Sequence, residues 1–128
     1  MKYFTITFIF LILFFCSKST DSFDPNLGEE FFLKYGETKQ IQGENLSLKF
    51  LNIGDDSRCP LGTVCRWEGN FEIILKIFDQ DFSVNTNLDP KVIYYNNFNI
   101  RLVSASPYPE SNKIINKEDY TIQLVVTK

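Results

Sequence analysis

At 128 residues the chain has room for one hydrophobic core and too little sequence for two. Its 13 Lys+Arg against 16 Asp+Glu give a net charge of -3, which argues against both a basic nucleic-acid binder and a polyacidic tail. Histidine is absent while Phe occurs 13 times, so Ser-His-Asp and Cys-His nucleophile systems, the commonest general base and the usual zinc ligand are excluded.

The chain opens with one cation, Lys2, ahead of an apolar run over residues 3–15 that only Thr5 and Thr7 interrupt. At the helical rise these positions span about 20 Å, short of the ~30 Å hydrocarbon core. That length suits the h-region of a signal peptide better than a spanning helix. A buried core helix is the blander reading, and the lack of a polar face along the run counts against it. The run stops at Cys16, followed by the polar residues 17–22. It resembles a bacterial lipoprotein signal, in which the cysteine becomes the lipidated N-terminus after cleavage. Leu13 falls on the apolar position three before the cysteine, whereas Phe15 departs from the small residue expected directly before it. Ordinary cleavage after Ser19, with Ser17 and Ser19 at the small-residue positions, and an uncleaved anchor stay open. The resemblance implies a signal peptide over residues 1–15, a lipid (palmitate-type) attachment at Cys16 and export to a bacterial membrane, on its periplasmic face or at the cell surface. The bilayer is then a partner. Residues 16–27, with Asp21, Asp24, Pro25 and Asn26, read as a flexible tether.

From residue 30 the pattern has a period of two. Phe31, Phe32, Leu33 and Tyr35 precede Gly36 and a second short extended piece ending at Ile41. Leu46, Leu48 and Phe50 alternate with polar residues, and the apolar phase then slips to Leu51 and Ile53, as a β-bulge produces. Phe71, Ile73, Leu75 and Ile77 predict a strand whose other face is half apolar, hence a central one. Phe82, Val84, Thr86 and Leu88 alternate again. Residues 92–95, the turn Asn96-Asn97 and residues 98–103 predict a hairpin. A long loop over residues 104–119, with Pro107 and Pro109, precedes a last strand through Tyr120, Ile122, Leu124 and Val126. No amphipathic helical stripe occurs after the export segment. The expected fold is all-β: one domain over residues 28–128, an antiparallel β-sandwich, Ig-like or small-barrel-like, with six to eight strands and one disulfide.

Residues 55–70 read DDSRCPLGTVCRWEGN. Cys59 and Cys65 enclose five residues, and in an exported protein the default is a disulfide. A closed loop of this size is worth about 2 kcal/mol in the chain-entropy model. Redox-active pairs stand closer together, and two thiolates without His make a poor metal site, so no cofactor or metal is expected. Three cysteines leave one unpaired, and a lipid thioether at the remote Cys16 accounts for it.

Asp56, Ser57, Arg58, Cys59, Pro60, Cys65, Trp67 and Gly69 resemble the Asp-Ser-Arg-Cys-Pro…Cys-x-Trp-x-Gly signature of a widespread family of small bacterial exported proteins, often lipoproteins. Glu68 is charged where the family often has a small residue. The Gly36-Glu37 turn, Pro107-Tyr108-Pro109 and Asp119-Tyr120 extend the likeness more weakly. The family carries no established activity, so the resemblance implies fold and compartment only.

Asp56 and Arg58 are spaced to form a side-chain pair that pins the disulfide loop. Trp67, two residues after Cys65, would share a strand face with it and pack on the disulfide, or else stack with an exposed Arg58 on a ligand or partner. Tyr94, Tyr95, Phe98 and Tyr108 are candidates for an aromatic strip beside the long loop. Asp55/Asp56, Asp79/Asp81 and Glu118/Asp119 are near pairs that could serve glycoside chemistry or calcium, with solvated turns the blander reading. The expectation is a non-enzymatic binding or structural lipoprotein with an envelope or other protein partner. An acidic-residue hydrolase or carbohydrate-active enzyme and a protease-inhibitor-like module are the alternatives.

Overall fold

The alternating segments form two antiparallel four-stranded sheets in the computed structural model, which describes residues 23–128. The expected export segment, Cys16 and the first part of the expected tether lie outside the described residues. The strands are β1 (Glu30–Lys34), β2 (Thr38–Gln40), β3 (Ser47–Asp56), β4 (Phe71–Ile77), β5 (Gln80–Asn85), β6 (Val92–Tyr95), β7 (Phe98–Ser106) and β8 (Thr121–Thr127). One sheet runs β1-β8-β7-β6 and the other β2-β3-β4-β5. Among the described residues no helix is long and apolar enough to cross a membrane.

Period-two patterning explains why the sheets pack face to face. In β4, Phe71, Ile73, Leu75 and Ile77 are buried, while Glu72, Ile74 and Lys76 line the other face. Leu48 and Phe50 of β3 join them from the same sheet, and Leu33, Ile100, Ile122 and Leu124 meet them from the opposite one. β4 lies between β3 and β5, the interior position its half-apolar outer face predicts. The β3–β4 register shifts between Phe50 and Asn52, where the apolar phase slips. The β6–β7 hairpin turns at Asn96, a residue type that tolerates its positive φ of 52°.

Two boundaries differ from the alternation. β5 ends at Asn85 rather than continuing to Leu88, because the amides of Asn87 and Leu88 donate to the side-chain oxygen of Asn70 instead of a strand neighbour. β7 continues past Val103 to Ser106. A register shift between Leu102 and Ser104 keeps the chain paired with β8 up to Ser106 opposite Thr121, so the long loop starts at Pro107. It ends in a single 3-10 turn, Lys117–Asp119.

These registers give the sandwich two poles. At one, Gly28 donates to Val126 O (2.7 Å) and Gln42 to Pro25 O (2.8 Å), so residues 25–28, next to the expected tether, lie here with the 78–79 and 96–97 turns. At the other, Asp56 faces Phe71 and Ser106 faces Thr121, which gathers residues 57–70, 86–91 and 107–120. The length of β8 separates the poles by about 20 Å.

Leu75→Ala in the sealed core is expected to cost about 2–5 kcal/mol in urea unfolding, and Phe32→Ala on the outer face of β1 under about 1 kcal/mol. Equal costs would contradict the burial pattern.

Candidate functional site

The distal pole is organised around the guanidinium of Arg58, only 7% exposed. Its Nε and Nη2 donate to Oδ1 and Oδ2 of Asp56 at 2.7 and 2.8 Å, a bidentate fork. Nη1 donates to Ala105 O at 2.7 Å and Nη2 to Pro107 O at 3.0 Å, at the end of β7 in the opposite sheet. The Tyr120 hydroxyl donates to Asp56 Oδ2 at 2.7 Å. The guanidinium lies over the rings of Phe71 and Tyr108, with centroids 4.6 and 4.8 Å from Cζ. Phe71 also stacks on Tyr120 at 5.4 Å. A buried charge requires both a counter-ion and satisfied hydrogen bonds. Arg58 has both, and they tie the end of β3, the end of β7 and the start of β8 into one knot.

Two ionisations record that knot. Burial by itself raises the Asp56 pKa, but hydrogen bonds from Arg58 and Tyr120 and the guanidinium charge outweigh it and hold the carboxyl below its ordinary value. Burial and the accepting Asp56 carboxylate push the Tyr120 hydroxyl up to about 12. Asp56 is therefore a fixed counter-ion.

The disulfide loop hangs from this knot. Cys59 and Cys65 are bonded, with Cα atoms 6.0 Å apart. The two legs of residues 57–70 are laced by Ser57 N to Asn70 O (2.8 Å) and Cys59 N to Glu68 O (2.9 Å). Gly69 is required where they close. Its φ is +81°, and a Cβ there would lie 2.0 Å from Ser57 O. Leu61 N donates to Pro109 O (2.9 Å), and the Thr63 and Ser111 hydroxyls meet at 2.8 Å, so the disulfide loop also holds the 107–116 loop.

Trp67 departs from expectation. Residues 57–70 form a laced loop rather than a strand, so Trp67 shares no strand face with Cys65; it is 54% exposed. Nor does an exposed Arg58–Trp67 patch form, because Arg58 is buried against Phe71 and Tyr108. The aromatic strip is likewise divided. Tyr95 packs on Phe78 and Phe82 near the tether pole, Phe98 is buried, and Tyr108 covers Arg58 at the distal pole.

Asn70 and Asn85 were not singled out in the sequence. Asn70 Nδ2 donates to Asn85 Oδ1 at 2.7 Å, both side chains are buried, and Asn70 Oδ1 organises the 86–88 turn. The only local signal was a polar residue directly ahead of an apolar strand.

With its interior polar groups satisfied, the distal pole presents apolar side chains outward. Val64 is 100% exposed and Ile114 93%, and Leu61, Trp67, Leu88 and Tyr108 are also exposed on these loops. The acidic pairs are divided between the poles: Asp56 is in the knot, while Asp81 pairs with Lys76 at 2.8 Å beside the 78–79 turn. Among the described residues no three His, Cys, Asp or Glu side chains gather in a group that could hold a metal ion. No protein-family model, curated protein or solved structure matches the chain.

Removing one partner of the buried pair strands the other charge, so Asp56→Ala is expected to lose about 3–5 kcal/mol in urea unfolding at neutral pH. Because the folded pKa of Asp56 is depressed, its contribution is present above the unfolded value near 4 and is lost as pH falls through the folded one. The raised Tyr120 hydroxyl contributes below its unfolded value near 10 and loses that contribution as pH rises through about 12. Tyr120→Phe should flatten the alkaline limb of the stability–pH curve and Asp56→Asn the acid limb. Wild-type-like limbs in both variants would show that these groups do not carry them.

Proposed function

We propose that the chain is an exported bacterial lipoprotein, anchored to the membrane through Cys16, whose sandwich is a non-enzymatic binding module for a protein of the cell envelope. The observation that carries this reading is the opposition of the poles. The tether side of the domain is at one end, and the exposed Val64, Trp67 and Ile114 are at the other. Pro25 is buried against the domain, so the reach of an anchor at Cys16 comes from residues 16–24, about 30 Å if fully extended, which leaves the distal pole free to meet a partner away from the bilayer.

Large exposed apolar side chains on a rigid support are characteristic of interaction surfaces, where aromatic and aliphatic anchors supply most of the binding energy. The support is rigid for the reasons given: the disulfide, the Arg58 knot and the laced loops. The likeness to the Asp-Ser-Arg-Cys-Pro…Cys-x-Trp-x-Gly family is consistent with the reading, since its Asp, Arg and Gly each have a structural task here. The alternative of an acidic-residue hydrolase draws less support. It needs a carboxyl able to hold a proton, and Asp56 is kept ionised by Arg58. A protease-inhibitor-like mode is a narrower version of the binding reading. It is favoured by Ile114, which stands out of the braced 107–116 loop.

Two measurements test the reading. Alkynyl palmitate fed to expressing cells is expected to label the wild type and not Cys16→Ala, and equal labelling would refute the anchor. Photo-cross-linking in intact envelopes should capture one protein with the wild type and lose it with Val64→Asp/Ile114→Asp, which leaves the core untouched. Capture unchanged by the double substitution would refute the distal pole as the binding surface. A protease as the captured protein would select the inhibitor-like mode.

A further inference from the structure

We propose that the outer face of the β1-β8-β7-β6 sheet is a binding groove for a neutral oligosaccharide chain. A concavity of about 580 Å³ lies on this face, and none of its lining residues belongs to the distal loops. Its lining follows from strand register. One rung crosses all four strands as Glu30, Val125, Arg101 and Val92, and the next runs Thr127, Asn99 and Tyr94. Four strands at ordinary spacing make the groove about 14 Å long.

The chemistry of the lining selects the ligand. Val125 and Val92 give an apolar floor. Tyr94 is 76% exposed and, with Val92, also lines a second depression of about 300 Å³ whose other walls are Asp89, Pro90 and Lys91, the segment that leads into β6 from the distal end. An aromatic ring shared by two successive depressions suits a chain of ring-shaped units, each with an apolar face to stack. Around it are groups that both donate and accept. The Arg101 side chain makes no hydrogen bond or ion pair among the described residues, so its donors are free for a ligand. Glu30 accepts from Gln123 Nε2 at 2.7 Å through Oε2, which leaves Oε1 without a protein partner among the described residues. Asn99 and Thr127 add an amide and a hydroxyl.

The two charges set the ligand's own charge. An anion drawn to Arg101 meets Glu30 on the same rung, and a cation drawn to Glu30 meets Arg101. A neutral chain of hydroxyl-bearing rings can accept from Arg101, donate to Glu30 and lay its apolar face on Tyr94 and the valines. This site is independent of the protein-binding reading of the distal pole.

The test uses the full chain in a detergent without a sugar headgroup. Cellotriose, maltotriose and N,N′,N″-triacetylchitotriose are the probes, followed by saturation-transfer NMR and calorimetric titration. At least one is expected to bind saturably, with Tyr94→Ala and Arg101→Ala each weakening it about tenfold or more and Tyr94→Phe retaining it. Trp67→Ala, at the distal pole, is expected to leave binding unchanged. Both groove side chains are exposed, so their replacement should not unfold the domain, and the thermal transition of each variant checks this. N-acetyl-tetraglycine amide, an uncharged chain with donors and acceptors but no rings, is the counter-probe. Saturable binding by none of the trisaccharides, equal binding of the blocked tetraglycine, or binding indifferent to Tyr94 and Arg101 would each overturn the proposal.

Discussion

A single buried guanidinium sets the terms for one end of this protein. Arg58 is closed off between the rings of Phe71 and Tyr108, and a positive charge there is tolerable only because Asp56 grips it with both oxygens. Two further N–H groups donate to Ala105 O and Pro107 O. Those bonds reach from the β2-β3-β4-β5 sheet to the β1-β8-β7-β6 sheet, so the requirement to satisfy one charge becomes a clasp between the layers. Three loops inherit their positions from it: the disulfide loop, the 86–91 turn through Asn70, and the 107–116 loop through Pro107 and Pro109.

The clasp also explains a division of labour over the surface. Asp56, Arg58 and Tyr108, which look functional in a linear reading, are consumed in holding the distal pole together. What remains outward there is apolar and simple in chemistry, namely Val64, Trp67, Ile114 and their neighbours. The flat of the sheet is different. It needs no clasp, because strand pairing holds it, and its outward side chains are free to be polar and unpaired. The apolar side chains at the pole and the polar groove on the face share no residue, so one small sandwich can carry both.

Much of the fold was legible because it depends on local order. Alternation in residues 71–77 and the slip of phase after Phe50 are properties of consecutive residues, and they reappear as β4 and the bulge in β3. The Asp56–Arg58 pair was legible for the same reason, since its members are two residues apart. Its further partners were hidden, because Tyr120 is 64 residues from Asp56 and Ala105 is 47 from Arg58. Only sheet register brings them together. The same blindness placed Trp67 on a strand. A positive-φ glycine at Gly69, pressed against the Ser57 carbonyl, closes residues 57–70 into a loop, and spacing alone cannot reveal that. β7 outran its expected end because a bulge beside Leu102 restores pairing that the side-chain pattern had lost.

Native-state hydrogen exchange of Arg58→Met, compared amide by amide with the wild type, tests the clasp most directly. Methionine keeps much of the volume between Phe71 and Tyr108 while removing the charge and its donors. The amides of Ser57, Cys59 and Leu61, each bonded across the laced loops, are predicted to lose protection most, with β4 and the centre of β8 retaining theirs. Distal-loop amides that stay as protected as in the wild type would contradict the claim that Arg58 holds this end of the molecule.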